Sequence, residues 1–195
     1  MALYLTGNTS NITIDSTNGI TFPNSTLQVS AGVILQVVQT NYTGTASSTS
    51  ATPANVSGFS ATITPKFSTS KVLVTVCTNF GFDSDSGGDP YPYILLLRNG
   101  TSIGTGVNAT GAQINTFLSG PALPGNLDVK SKYKYLPATR MFLDSPANTS
   151  ALTYQIQLAQ PFSGAPGYLN RQANTDNNSY IQSVASSITL MEVAV

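Results

Sequence analysis

Three aspartates lie close together in one short segment of the chain. Asp83, Asp85 and Asp89 are separated by serine and glycine residues. Carboxylates spaced in this way, with a glycine to turn the chain, are typical of a loop that binds calcium. An EF-hand counted from Asp83 would also need an acid at position 87 and a glutamate at position 94, where this chain has Gly87 and Ile94. We therefore expect a solvated turn between two strands, with a calcium site as the alternative.

A second cluster holds three of the eight basic residues of the chain. Lys130, Lys132 and Lys134 alternate with one serine and two tyrosines, so in an extended strand they share one face. Such lysines keep a solvated strand edge from aggregating. The alternative is a contact with an acidic protein or an anionic glycan, so we treat them as candidates for partner binding. Tyr91 and Tyr93 offer rings on which a sugar could stack, but tyrosine at the end of a strand is expected to pack.

The chain offers few groups for covalent or acid–base catalysis. It has no histidine, which excludes a Ser-His-Asp arrangement and histidine metal sites. Its one cysteine, Cys77, excludes an internal disulfide and is expected to be a small buried hydrophobe among alternating valines. Glu192, the single glutamate, is expected to face solvent, with pairing between subunits as the alternative. We therefore expect no enzymatic activity, no catalytic residues and no cofactor.

The elements that carry these residues are short strands. Apolar and polar residues alternate in runs that glycine, proline and asparagine interrupt, and no helical periodicity extends beyond two turns. Eight runs are predicted as strands, which is the number in a jelly roll. They are Val33 to Thr40, Gly58 to Thr64, Lys71 to Phe80, Tyr93 to Arg98, Thr101 to Thr105, Thr139 to Asp144, Ala151 to Gln160 and Ser186 to Val195.

Three local patterns refine this prediction. Apolar residues alternate with polar ones from Leu152 to Leu158, which predicts one buried face. The strand from Lys71 to Phe80 is apolar on both faces, which predicts a central strand that is covered on both sides. Asn99-Gly100 predicts a tight hairpin, because both central residues of a type I′ turn need positive φ.

The first 30 residues differ in their residue pattern from the remainder of the chain. Ile12 and Ile14 alternate with polar residues, a Thr-Asn-Gly turn comes next, and Ile20 and Phe22 alternate again before a proline. Two strands alone are marginal in water. We therefore expect residues 1–30 to form an arm that docks on another surface through these four apolar side chains, and residues 31–195 to form the sandwich.

The composition narrows the choice of partners. Only 8% of the residues are charged, against roughly 25% in an average chain, and the formal net charge is zero. Such a chain has no positive electrostatic field that would attract nucleic acid or an anionic membrane surface. The longest apolar stretch is far shorter than the roughly 20 residues of a membrane helix, and the N-terminus lacks the pattern of a secretory signal. We expect synthesis in a cytosol and neither nucleic acid nor membrane as a partner.

Seven segments share a pattern of alternating strands and tight turns. They are Ser10 to Asn24 (SNITIDSTNGITFPN), Ile34 to Thr40 (ILQVVQT), Ser57 to Val76 (SGFSATITPKFSTSKVLVTV), Leu96 to Gly106 (LLRNGTSIGTG), Met141 to Ala159 (MFLDSPANTSALTYQIQLA), Tyr168 to Arg171 (YLNR) and Ser186 to Val193 (SSITLMEV). Together they resemble the β-rich domains of tailed-bacteriophage virion proteins, including those of cyanophages. Such domains occur at the tips of tail fibres and as short stand-alone proteins on heads.

The resemblance implies a jelly-roll sandwich that assembles as a homotrimer on the surface of a virion made in the host cytoplasm. One expected role is capsid decoration or cement, in which trimers stabilise the shell and the arm contacts the major capsid protein or another virion protein. The alternative is a tail-fibre tip that recognises a host surface glycan. A carbohydrate-active enzyme is the third interpretation, and it is disfavoured because glycosidases need two placed carboxylates. Only about 30 residues precede the predicted sandwich, so we expect decoration.

Overall fold

The computed structural model of this chain describes residues 34–82, 91–120, 133–161 and 166–194, together with the backbone of residues 20–21 and 27–28. These ranges contain thirteen strands and no α-helix. The strands are β1 (Ile20–Thr21), β2 (Leu27–Gln28), β3 (Ile34–Tyr42), β4 (Ala46–Ser48), β5 (Ala54–Ile63), β6 (Lys71–Phe82), β7 (Tyr93–Arg98), β8 (Thr101–Ile103), β9 (Leu118–Ser119), β10 (Tyr135–Asp144), β11 (Leu152–Ala159), β12 (Gly167–Leu169) and β13 (Ser186–Val193).

Eight of these strands form two antiparallel sheets around one hydrophobic core. The first sheet has the order β3, β13, β6, β10, and the second has the order β5, β11, β7, β8. Numbered along the chain, these orders are 1-8-3-6 and 2-7-4-5, which is the arrangement of a jelly roll. The short strands β4 and β12 extend the first sheet, and β9 pairs with the start of β7. The predicted all-β sandwich is therefore confirmed.

The core results from alternation in the central strands. β6 pairs with β10 along one edge and with β13 along the other, so it lies inside its sheet as predicted. Val72, Val74 and Val76 are completely buried on its inner face. On β11 of the facing sheet, Tyr154 and Ile156 are also completely buried, which confirms the predicted buried face. The two rows meet because a two-layer sandwich buries every second side chain of each strand.

The second face of β6 differs from the prediction. Leu73, Thr75 and Cys77 are only half-buried, so the described part of the chain covers this strand fully on one side and partly on the other. The predicted cover on both sides is therefore only partial within the described residues, because a two-layer fold supplies no third layer outside the sheet. The same geometry places Cys77 at the surface rather than in the core, which corrects the expectation for this thiol.

The predicted hairpin is confirmed in detail. Asn99 has φ of 47° and Gly100 has φ of 84°, and Arg98 pairs with Thr101 across the turn between β7 and β8. Positive φ at both positions is the signature of a type I′ turn, whose twist matches that of the strands it joins.

The N-terminal region contributes one described pairing. Ile20 lies opposite Gln28 and Thr21 opposite Leu27 in the β1–β2 ribbon. Ile20 therefore pairs with a residue that follows it in the chain. The sequence predicted a turn before Ile20, and hence pairing with residues that precede it. Residues 12, 14 and 22 lie outside the described residues, so the division into a 1–30 arm and a 31–195 sandwich stays a prediction.

Candidate functional site

One end of the sandwich interior carries polar side chains in place of apolar ones. Gln36, Glu192, Val72 and Asp144 stand side by side across four strands of the first sheet. Cross-strand neighbours share a face, and the side chains of both acids are turned into the sandwich, with Glu192 at 0% and Asp144 at 5% exposure. Burying a carboxylate is costly unless hydrogen bonds or an opposite charge compensate it. Each acid therefore needs partners.

Glu192 is held by donors from the strand beside it and from the loop between β5 and β6. Its Oε2 accepts a hydrogen bond from Gln36 Nε2 at 2.6 Å, and its Oε1 accepts one from the Lys66 backbone N–H at 2.7 Å. Burial by itself raises the pKa of this carboxyl, but hydrogen bonds from Gln36 and from the Lys66 and Phe67 backbone outweigh it, so the pKa lies below its ordinary value. The expectation that Glu192 faces solvent was wrong, because the β5–β6 loop closes over it.

Asp144 is held from the opposite sheet. The Arg98 guanidinium donates to both carboxylate oxygens at 2.7 Å, and the Tyr154 hydroxyl donates to Oδ2 at 2.7 Å. Burial and the hydrogen bond to Asp144 raise the pKa of Tyr154 well above its ordinary value. Because Arg98 and Tyr154 lie on β7 and β11, this cluster joins the two sheets.

The chemistry of these two acids is that of structural contacts. Every carboxylate oxygen accepts at least one hydrogen bond from the protein. A general acid must hold a proton near neutral pH, and the lowered pKa of Glu192 acts in the opposite direction. We interpret both clusters as structural contacts that stabilise one end of the sandwich.

A second feature of the described residues is the outward side of β3, β13, β6 and β10, which we call the outer face. Val37, Met191, Leu73 and Leu143 are successive cross-strand neighbours there, so they form a row across all four strands. Val37 is 55% exposed and Leu143 is 48% exposed. Met141, at 60% exposure, adds to the same patch from the next row. Contiguous exposed apolar surface of this kind is typical of interaction sites.

The remainder of the outer face is polar but almost uncharged. Gln39, Thr189 and Thr75 form the next row with Met141, and Gln39 Nε2 donates to Thr189 Oγ1 at 2.8 Å. Among the outward positions of these four strands within the described ranges, Lys71 is the single charged residue, and it lies at the end of β6. The outer face therefore combines an apolar row with neutral hydrogen-bonding groups.

Sequence reasoning missed this row as a site. One signal was present in β6, where apolar residues occupy both faces. This pattern predicted that another layer packs on each face of the strand. Alternation within one strand cannot show that Val37, Met191 and Leu143 align with Leu73, because strand order and register decide which residues become neighbours.

A groove of about 250 Å³ opens between β4 and β5, away from the outer face. Its lining is rich in hydroxyl and amide groups, supplied by Thr45, Ser47, Ser48, Asn55 and Ser57. The ring of Tyr42 also borders it, but this ring stacks on Phe59 with centroids 4.8 Å apart and is only 7% exposed. The groove thus offers neutral donors and acceptors without an exposed aromatic platform.

The structure places few of the residues predicted from the sequence. Ile12, Ile14, Phe22, Asp83, Asp85, Asp89, Lys130 and Lys132 lie outside the described residues, and Ile20 is described by its backbone alone. Lys134 is half-buried just before β10. The calcium and lysine hypotheses therefore stay predictions.

The tyrosines beside these segments take part in packing. The Tyr133 ring meets Tyr180 edge-on at 5.5 Å, and the Tyr135 hydroxyl donates to the Gln182 carbonyl. Tyr93 is 5% exposed, and its hydroxyl donates to the Ala51 carbonyl at 3.2 Å. Because its ring is covered, Tyr93 presents no stacking surface to a sugar.

Comparisons with known proteins identify no relative: no protein-family profile matches this chain, and no curated protein matches its sequence significantly. In the part of the chain that the structure describes, no three acidic, cysteine or histidine side chains gather closely enough to hold a metal ion. The same ranges contain no helix with the length and apolar character of a membrane span.

Proposed function

We propose that this chain is a non-enzymatic structural subunit of a tailed-phage particle, namely a capsid decoration or cement protein that assembles with copies of itself on the head. The observation that carries the proposal is the outer face, where an apolar row is left uncovered on a jelly roll of very low charge. A protein with this surface gains free energy by covering it with another protein.

Three further features support this role. Jelly rolls are common in viral capsid domains, which is an analogy at the level of the fold. The low charge avoids repulsion between closely packed copies. The buried acids Glu192 and Asp144 are fully engaged in structural contacts. In this proposal the N-terminal segment and the lysines near Lys134 contact the major capsid protein or another virion protein.

Copy number tests the proposal directly. Quantitative mass spectrometry of purified virions should find this chain in amounts comparable with the major shell protein. Particles that lack it should lose their genome at a lower temperature than complete particles. A handful of copies per particle would contradict decoration.

The groove between β4 and β5 favours a second candidate, a tail-fibre tip that binds a host surface glycan. Its serine, threonine and asparagine lining matches the hydroxyl groups of a neutral sugar. Purified protein should then bind host cells and block phage adsorption, and Asn55→Ala should reduce that binding. No binding at high protein concentration would remove this candidate.

A further inference from the structure

The outer face is wide enough to pack against another sheet. Four strands spaced about 4.8 Å apart, with about eight residues of 3.3 Å each, cover on the order of 500 Å² before side-chain relief is counted. Pairing two such faces buries about 1,000 Å² or more in total, which is the lower limit for a specific interface. The area is therefore sufficient for a dimer.

The chemistry of the outer face identifies the kind of partner. Partners of a different kind are usually selected by complementary charge, but this face has one charged residue, Lys71, at the end of a strand. An interface between identical surfaces brings like groups together around its symmetry axis. An uncharged face tolerates that arrangement, whereas a charged one does not.

The order of residues on the face also suits self-pairing. The apolar row from Val37 to Leu143 crosses the strands at nearly right angles to their direction, and the Gln39 row with its neutral polar groups lies beside it. Two sheets that pack face to face keep their strands within about 30° of each other. The apolar row of one copy can then pack against the apolar row of the other. The neutral polar groups of the Gln39 rows can form hydrogen bonds at the edge of this contact.

We propose that the outer face of one copy packs against the outer face of a second copy, so that two jelly rolls form a two-fold dimer with Val37, Leu73, Met191 and Leu143 at its centre. This inference rests on the proposed structural role and names the partner that covers the face. It differs from the homotrimer implied by the resemblance, because one patch that pairs with itself closes after two copies.

The test is the mass of the full-length protein in solution as a function of concentration, measured by analytical ultracentrifugation. We expect a dimer that dissociates on dilution. Val37→Lys and Leu143→Lys place a charge in the row at exposed positions, and each should weaken dimerisation at least tenfold. Val107→Lys is the matched control, because Val107 is 83% exposed on the loop after β8, and it should leave the dimer unchanged.

A measurement on the unmodified protein complements the variants. Met141 and Met191 both lie on the outer face. Peroxide should convert them to sulfoxides several-fold more slowly in concentrated, dimeric protein than in dilute protein. Equal oxidation rates at both concentrations would contradict the inference even if the lysine variants failed to fold.

Each other outcome overturns the dimer. A monomer at all concentrations would mean that the face meets another partner or the segment that precedes β3. A trimer would mean that the pairing is not two-fold, and a dimer that both lysine variants preserve would use another surface. None of these results bears on copy number in virions, so the proposed function would stand or fall separately.

Discussion

Glu192 and Asp144 are the two acids that the described part of the fold removes from water, and donors from different elements hold them. Glu192 fixes the loop between β5 and β6 through the Lys66 N–H, whereas Asp144 links the two sheets through Arg98 and Tyr154. Removing one partner of a buried polar group costs more than the bond itself contributes, because the other partner is left without solvent. These residues should therefore govern stability rather than binding.

Glu192 predicts a specific loss of stability in acid. Its pKa is lowered in the folded protein from an ordinary value of 4.5. The carboxylate therefore contributes stability at neutral pH that is lost as the pH falls below 4.5 and through the lowered pKa. Glu192→Gln should reduce the unfolding free energy by about 1 to 3 kcal/mol at pH 7, because the amide presents a donor to the Lys66 N–H. Urea unfolding at pH 7 and at pH 3 measures the difference.

The control for this experiment is Asp176→Asn, which changes an exposed carboxylate. It should leave stability nearly unchanged at both pH values. The gap between the wild type and Glu192→Gln should narrow at pH 3, because protonation of Glu192 in the unfolded chain below pH 4.5 removes part of the stability that the carboxylate contributes. A gap that stays constant would show that ionisation of Glu192 does not stabilise the fold.

At the level of elements, the β7–β8 hairpin depends on backbone conformations that few residues adopt. Gly100 has φ of 84°, and a Cβ there would have no heavy atom within 4 Å, so a substitution would be limited by strain and not by crowding. Gly100→Ala should cost about 1 to 2 kcal/mol. For a chain of this length, that corresponds to a fall of roughly 2 to 8 °C in the thermal midpoint.

Gly106→Ala provides the comparison, because Gly106 is free of the left-handed conformation and a Cβ would meet only Asn115 Oδ1 at 3.7 Å. Its thermal midpoint should match the wild type or rise slightly, since alanine reduces the entropy of the unfolded chain. Equal midpoints for both variants would contradict the requirement for glycine in the turn.

For the whole molecule, we expect the hydrophobic core and the N-terminal segment to have separable roles. Among the described residues, every buried member of the core cluster lies between Tyr42 and Leu190. A chain without residues 1–30 should therefore fold, with a thermal midpoint close to that of the full chain. It should fail to join particles, because the predicted attachment segment is missing.

Circular dichroism and a virion incorporation assay with the full-length chain as reference would measure both effects. An unfolded truncated protein would show that residues 1–30 belong to the sandwich. A truncated protein that joins particles as well as the full chain would place attachment on another surface.

The sequence by itself determined the class of the fold and most of its strands. All eight predicted strands are present, most of them with shifts at their ends, because the alternation of residues and the Asn99-Gly100 turn act locally. The short strands β4, β9 and β12 were missed, since two or three residues are too few to show a period. Each pairs along an edge that exists only in the folded sheet: β9 on β7, β12 on β6 and β4 on β12.

Only the tertiary structure decided which residues became neighbours. The burial of Glu192 depends on a loop more than 120 residues away in the chain. The apolar row of the outer face depends on the order β3, β13, β6, β10, in which residues 37, 191, 73 and 143 align. Local alternation specifies two faces for each strand, but it does not specify which face the second layer covers. In the folded protein the second layer covers the inner faces, and the described part of the chain leaves the outer face without such cover. The apolar row exists only when the four strands lie side by side, because each strand contributes a single residue to it.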